Sequence, residues 1–197
     1  MSRLQRFALL TELADQLRAA GSWAGETNLQ KAAYFVQELF QIDSNFDFIL
    51  YRHGPFSFDL RDDLTELRAN GLIEFIPMPP YGPRIHPTTA SEELRRKFPT
   101  TLRRVSPAIS FVAAHLGDQN VIKLERLATA LYVLKNSEQT ADIDQMAARV
   151  HEIKPHVSVD KAKSALATVQ QLMDQAGVLG EYPHAGRYSK KVEVEAK

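Results

Sequence analysis

No cysteine occurs in the 197 residues, which removes disulfides, thiolate nucleophiles and every cysteine-containing zinc site at once. The chain suits a reducing compartment, and a cytoplasmic location is expected on that basis. Glycine and proline are sparse, at 9 and 10 residues, too few for a collagen-like or linker-rich chain. Net charge is also missing: 24 Lys and Arg stand against 24 Asp and Glu, so indiscriminate attraction to polyanions has no electrostatic drive. Long apolar runs are absent too. The best stretch, Ile109 to Ala114, already contains a serine and falls far short of the roughly 18 to 20 residues that cross a bilayer. The first ten residues, MSRLQRFALL, lack the apolar core and small-residue cleavage site of a secretory signal. No membrane partner is expected. What is present is an ordinary globular composition, 44% apolar and 24% charged, which predicts a packed core.

Helical periodicity dominates. Leu4, Phe7, Leu10, Ala14 and Leu17 recur at spacings of three and four and predict a helix over residues 2–20 that Gly21 terminates. Thr27 and Gln30 have capping-box spacing before a second helix with Leu29, Ala32, Ala33, Val36, Leu39 and Phe40 inside. Phe46 to Tyr51, FDFILY, is rich in aromatic and β-branched residues and predicts a strand. Arg52-His53-Gly54-Pro55 then turns the chain, and Ser57 caps a third helix carrying Leu60, Leu64 and Leu67 up to Gly71. Leu72 to Ile76 predicts a strand, Met78 to Pro83 a turn and Arg84 to His86 a short return strand.

The remainder predicts helices. Thr89 with Glu92 caps a short one, Ser106-Pro107 starts another that Gly117 ends, and residues 121–135, 140–153 and 159–176 supply three more. Gln175 to Leu179 has the pattern helix, glycine stop, apolar strand. The fold class expected is mainly α (α+β): a winged-helix-like region over 1–88 with a small β-hairpin, then a helical bundle over 89–182 packed with it. Residues 183–197 are polar and are expected to form a flexible tail.

Candidate chemistry is thin. Ser57 beside His53 suggests a nucleophile and base, but no GxSxG elbow surrounds the serine, and a turn plus N-cap explains the same residues. His151 and His156 are five apart, not four, and Pro155 intervenes, so a helical zinc site is not predicted. Walker A and GxGxxG loops are missing. No catalytic residue, cofactor or metal is expected. Two charge features stand out. Asp59, Asp62, Asp63 and Glu66 predict an acidic stripe on the third helix, either a solvated face or a docking surface for a basic partner protein. Arg95, Arg96, Lys97, Arg103 and Arg104 form a basic cluster near the predicted wing, suited to phosphates or to internal salt bridges with Glu92, Glu93 and the stripe.

Leu29-Gln30-Lys31 followed by Ala32-Ala33-Tyr34-Phe35, then Tyr51-Arg52-His53-Gly54-Pro55-Phe56-Ser57, Asp63-Leu64 and Leu124-Glu125-Arg126-Leu127-Ala128-Thr129 resemble the signature of YwgA-like proteins. They are also similar to the Panacea, or SocA-like, antitoxin domain. The resemblance covers residues 29–130. It implies a small, helical, winged-helix-like bacterial protein from toxin–antitoxin or phage-defence neighbourhoods, acting by binding a partner protein, with Arg52, His53, Gly54, Pro55 and Ser57 as structural motif residues. A similar module accompanies some DNA ADP-ribosyl glycohydrolase antitoxins, but the Gly-rich macrodomain-like portion is missing here. The expectation is a non-enzymatic module with a protein partner, a toxin among the options. A winged-helix DNA-binding regulator is the alternative, and homo-oligomerisation is open.

Overall fold

Two antiparallel hairpins and eight helices make up the regular structure of residues 1–138 and 140–179, the part of the chain that the computed structural model describes. In chain order these are α1 (Arg3–Ala19), α2 (Glu26–Phe40), β1 (Ile49–Tyr51), β2 (Gly54–Phe56), α3 (Phe58–Ala69), β3 (Ile73–Met78), β4 (Tyr81–Pro87), α4 (Thr89–Arg96), α5 (Pro99–Leu116), α6 (Val121–Asn136), α7 (Ile143–Ile153) and α8 (Val159–Leu179). The protein is mainly α, as the periodicities predict, with two small sheets where the sequence predicts one hairpin. The order of α1, α2, α3 and the β3–β4 hairpin is the one expected of the N-terminal region, with a second hairpin inserted between α2 and α3.

Local chemistry explains most of the boundaries. Ser2 and Gln5 form a capping box at α1, and Gly21, with φ +88°, takes the left-handed position beyond its end. Phe7, Leu10, Ala14 and Leu17 are buried, while Leu4 of the predicted stripe stays exposed. α2 begins at Glu26 after Gly25, one residue before the expected cap Thr27; Asn28 Oδ1 accepts from the Gly25 N–H at 3.3 Å, which frees Gln30 for another role. Ser57 caps α3 and Gly71, φ +67°, follows it, both as predicted. The β3–β4 hairpin is longer than predicted, pairing Ile73 with Pro87 through Met78 with Tyr81. It is tied to the α1–α2 loop: Ile85 N donates to Ala24 O at 2.9 Å, and the Arg84 guanidinium donates to Ser22 O and Trp23 O.

Four helix boundaries correct the sequence reading. α4 has Thr88 at its N-cap, and the expected cap Thr89 is already its first helical residue. α5 starts at Pro99, and Pro107 lies inside it. The stripe Thr101, Val105, Ala108, Ile109 and Val112 is buried across Pro107, and that burial outweighs one lost i→i−4 bond on an exposed turn. α7 begins at Ile143 behind a capping box of Asp142 and Gln145, not at Thr140. α8 continues through Gly177 to Leu179, so no strand follows a glycine stop. Ala176 is still in the core, and an exposed helical glycine costs only about 1 kcal/mol relative to alanine.

One continuous core, from Phe7 to Ala176, joins the two regions. α5 lies on α1 and α2, and α8 closes against α2, α5 and α6. At Gly117 an added Cβ would stand 2.4 Å from Ala113 O and 2.6 Å from Ala20 Cβ, so this glycine lets the ends of α5 and α1 meet. No helix among the described residues is long and apolar enough to cross a membrane. The expected tail, 183–197, lies outside the described residues.

Candidate functional site

The segment expected to be one strand over Phe46–Tyr51 pairs only at Ile49–Tyr51. Its partner β2 was expected to be turn and cap, because Gly-Pro is a turn signal. β2 is only three residues long, since Ser57 already caps α3, and Phe46–Phe48 are left with no strand to pair with. Arg52 and His53 make the turn. Gly54, φ +83°, closes it opposite Tyr51, and Pro55 lies opposite Leu50. With no N–H on Pro55, Leu50 and Pro55 cannot exchange ladder bonds, so their backbone groups point away from each other.

Beneath the hairpin lies a polar floor in which the three motifs of the sequence meet. Gln30 Nε2 donates to Ser57 O at 2.9 Å, and Ser57 N donates to Gln30 Oε1 at 3.0 Å. Lys31, only 1% exposed, donates from Nζ to Pro55 O at 2.8 Å. These two side chains of α2 occupy the outer edge of β2. On α6, Thr129 Oγ1 would lie 2.8 Å from a Cβ at Gly54, and Glu125 Oε1 is 3.1 Å from His53 Nδ1. Lys154, buried just after α7, donates to Arg52 O at 2.6 Å. Sequence reasoning missed Lys31, Glu125, Thr129 and Lys154 as parts of one assembly. The quoted motifs contained the first three, while nothing in the pattern around Lys154 marked it.

Burial pulls the Lys31 ammonium down to about 8, with Glu125 opposing the shift and Lys154 adding to it. Burial lowers Lys154 too, again opposed by Glu125. An unfolded lysine titrates near 10.4. Between about pH 8 and that value the unfolded chain holds more protons, so stability rises with pH. Urea midpoints of the wild type should climb between about pH 8 and about pH 10 relative to Lys31→Met, by the equivalent of roughly 2 kcal/mol. Parallel pH profiles for the two proteins would show that no charge is buried at Nζ.

Ser57 and His53 do not form a nucleophile and base. The serine is fully buried and its hydroxyl accepts from Leu60 N at 3.3 Å, whereas the His53 ring is largely exposed and directed at Glu125. Arg52, His53, Gly54, Pro55 and Ser57 therefore build the turn, the strand and the cap. His151 Nδ1 lies 2.7 Å from Val157 O, and no cluster of metal-ligating side chains occurs among the described residues.

On the outer side of the hairpin, Tyr51, Phe56 and Phe58 pack ring against ring, with centroids 5.1 to 5.8 Å apart. Ile49 joins them from β1. Tyr51 is 47% exposed, Ile49 43% and Phe58 39%. The Arg61 guanidinium lies over the Phe58 ring at 4.9 Å. Asp59 and Asp62 of α3 are exposed and have no ion-pair partner among the described residues; Asp62 is one helical turn from Phe58, and Asp59 lies within the field of Arg6.

The acidic stripe is not the continuous face that the sequence predicts. Asp63 is buried and held by Arg6, at 2.7 and 3.1 Å, and by Arg3 at 3.3 Å; Glu66 pairs with Arg3. Position 63 is three residues from Leu60 and four from Leu67, so it borders the buried face and meets α1. The Asp63 hydrogen bond in turn raises the Arg6 pKa. The basic cluster divides likewise. Arg95 is taken up by α1, paired with Asp15 and Glu12 and donating to Thr11 O at 3.2 Å, rather than by Glu92, Glu93 or the stripe. Arg96, Lys97, Arg103 and Arg104 remain exposed, without ion-pair partners among the described residues.

No protein-family model matches the chain, and no curated protein matches it. The geometry therefore carries the functional reading: a hydrogen-bonded polar floor beneath an exposed aromatic patch.

Proposed function

We propose that the protein is a non-enzymatic protein-binding module, antitoxin-like or phage-defence-associated, that occludes or positions a partner protein. The observation that carries this reading is the exposed aromatic patch of Tyr51, Phe56 and Phe58 with Arg61 stacked on it. Aromatic and arginine side chains dominate the energetics of protein interfaces, the aromatics because they bury large areas with few rotors to freeze and arginine because its planar guanidinium stacks and donates several hydrogen bonds at once. The floor of Gln30, Lys31, Glu125 and Lys154 holds the patch in place before binding, which lowers the ordering cost of association. The resemblance of the LQK and RHGPFS motifs to YwgA-like and Panacea sequences supports the antitoxin or defence setting.

The alternative, a winged-helix DNA-binding regulator, draws on the exposed Arg96, Lys97, Arg103 and Arg104. It is weaker on electrostatic grounds. The helix before the wing, α3, shows Asp59 and Asp62 to solvent, where phosphates would be repelled, and Arg95 is committed to α1.

Co-purification from the native host, followed by titration of the isolated partner, tests the docking reading. Tyr51→Ser/Phe58→Ser should raise Kd by at least about 100-fold, and Asp59→Lys/Asp62→Lys should also weaken binding. Affinity unchanged in both double variants would remove this face from the interface.

A further inference from the structure

The two edges of the β1–β2 hairpin are treated differently. In an antiparallel pair, residues opposite each other either exchange both backbone bonds or direct all their groups outward, in alternation. Leu50 and Pro55 are of the outward kind. On the β2 side those outward groups are occupied: Lys31 donates to Pro55 O, and Gln30 bonds both Ser57 O and Ser57 N. On the β1 side, no described residue bonds the N–H or C=O of Phe48 or Leu50. The extended pattern also reaches further back than the ladder. From Phe46 to Tyr51, beyond the left-handed Asn45, every odd-numbered residue is exposed and every even-numbered one is buried or half-buried, the period of a strand. At Phe46 the edge is closed by α2, where Gln37 Nε2 donates to Phe46 O at 3.1 Å and Phe46 N donates to Gln37 Oε1 at 3.3 Å; Phe48 and Leu50 are left with the alternation of a strand and no strand beside them. Open edges of this kind are templates for strand addition, and proteins usually blunt them.

We infer that β1 accepts an extended segment of the partner protein as a third strand, running along Phe48–Leu50 with alternate side chains packed on Ile49 and Tyr51. This rests on the protein-binding reading above and specifies how the partner is held. Charge complementarity sets the chemistry of the segment. Asp47, next to Phe48 in the chain, and Asp62, one helical turn from Phe58, are exposed without ion-pair partners among the described residues, while Asp59 lies within the field of Arg6. Of the cations nearby, Arg61 lies over Phe58 and close enough to Glu26 to oppose in part the rise that burial causes in that carboxyl's pKa, which leaves Arg52 as the exposed cation of the turn. The segment is therefore apolar or aromatic at alternate positions and carries Lys or Arg. Backbone bonds give affinity in such an arrangement, and the alternate side chains give specificity.

Selection of a displayed random dodecapeptide library against the full-length protein tests the inference. Enriched peptides should alternate apolar and basic residues. They should lose at least tenfold in affinity on N-methylation of every second residue, and slow amide exchange at Leu50 when bound. Leu50→Pro removes the outward N–H opposite a residue that makes no ladder bond, and should weaken the same peptides at least tenfold. The N-methylated peptides give the answer independently of whether that variant folds. Peptides that need Tyr51 and Phe58 but tolerate N-methylation would overturn strand addition and leave the protein-binding reading standing. A library with no enrichment would overturn both. Self-association of the wild type that Leu50→Pro abolishes would put a second copy on the edge and overturn the partner segment.

Discussion

Asp63→Ala should lower the free energy of unfolding by about 3 to 5 kcal/mol in urea titration, while Asp62→Ala, one position earlier on the same helix, should change it by less than about 0.5 kcal/mol. Two neighbours of the same chemistry are expected to differ because their surroundings differ. Asp62 faces water. Asp63 is 1% exposed and accepts from two arginines of α1, and Arg6 is itself largely covered, its guanidinium lying 5.5 Å from the Phe46 ring centre. Deleting the carboxylate strands a guanidinium that has already lost most of its hydration, and this desolvation, more than the lost attraction, sets the size of the effect. Replacing both charges, as Arg6→Met/Asp63→Leu, should recover most of the loss, since apolar isosteres remove the orphan together with the pair. Equal stabilities for the two single variants would mean that α1 and α3 are held by their apolar contacts alone.

Gly54→Ala should cost about 2 to 5 kcal/mol and, on the protein-binding reading proposed above, weaken partner binding, although Gly54 is buried. Two separable causes add. The left-handed φ of +83° is worth about 1 to 2 kcal/mol for a residue with a Cβ. That Cβ would also stand 2.8 Å from Thr129 Oγ1, which forces β2 off α6 at an overpacking cost of about 1 to 3 kcal/mol. Thr129→Ala in the Gly54→Ala background should return the second contribution and leave the first, so the two substitutions should be non-additive by at least about 1 kcal/mol. Additive behaviour would show that the hairpin relaxes without pressing on α6.

Much of this architecture was legible in the sequence. The stripes of α1, α2, α3 and α6 recur at helical spacing, and the glycines at 21 and 71 end helices as their freedom to adopt positive φ predicts. Expectations failed where a single residue type carried a statistical tendency that packing overrode. Pro107 and Gly177 looked like boundaries but sit within α5 and α8 because apolar neighbours continue past them. Asp63 looked like part of a solvated stripe because a charge at the margin of a buried face has no periodic signature. The floor was invisible for a different reason. Side chain to backbone bonds such as Lys31 to Pro55 or Lys154 to Arg52 leave no pattern in the residues between them. The LQK, RHGPFS and LERLAT strings could be quoted together from the sequence, but their meeting point required coordinates.

The separation of Lys154 from Arg52 has a consequence for synthesis. The two lie 102 positions apart, and a ribosome adds roughly 5 to 20 residues per second. The aromatic hairpin therefore leaves the ribosome roughly 5 to 20 s before the lysine that anchors its turn, with Glu125 and Thr129 arriving in between. Among the first elements to be made, the aromatic hairpin is among the last to gain all its anchors.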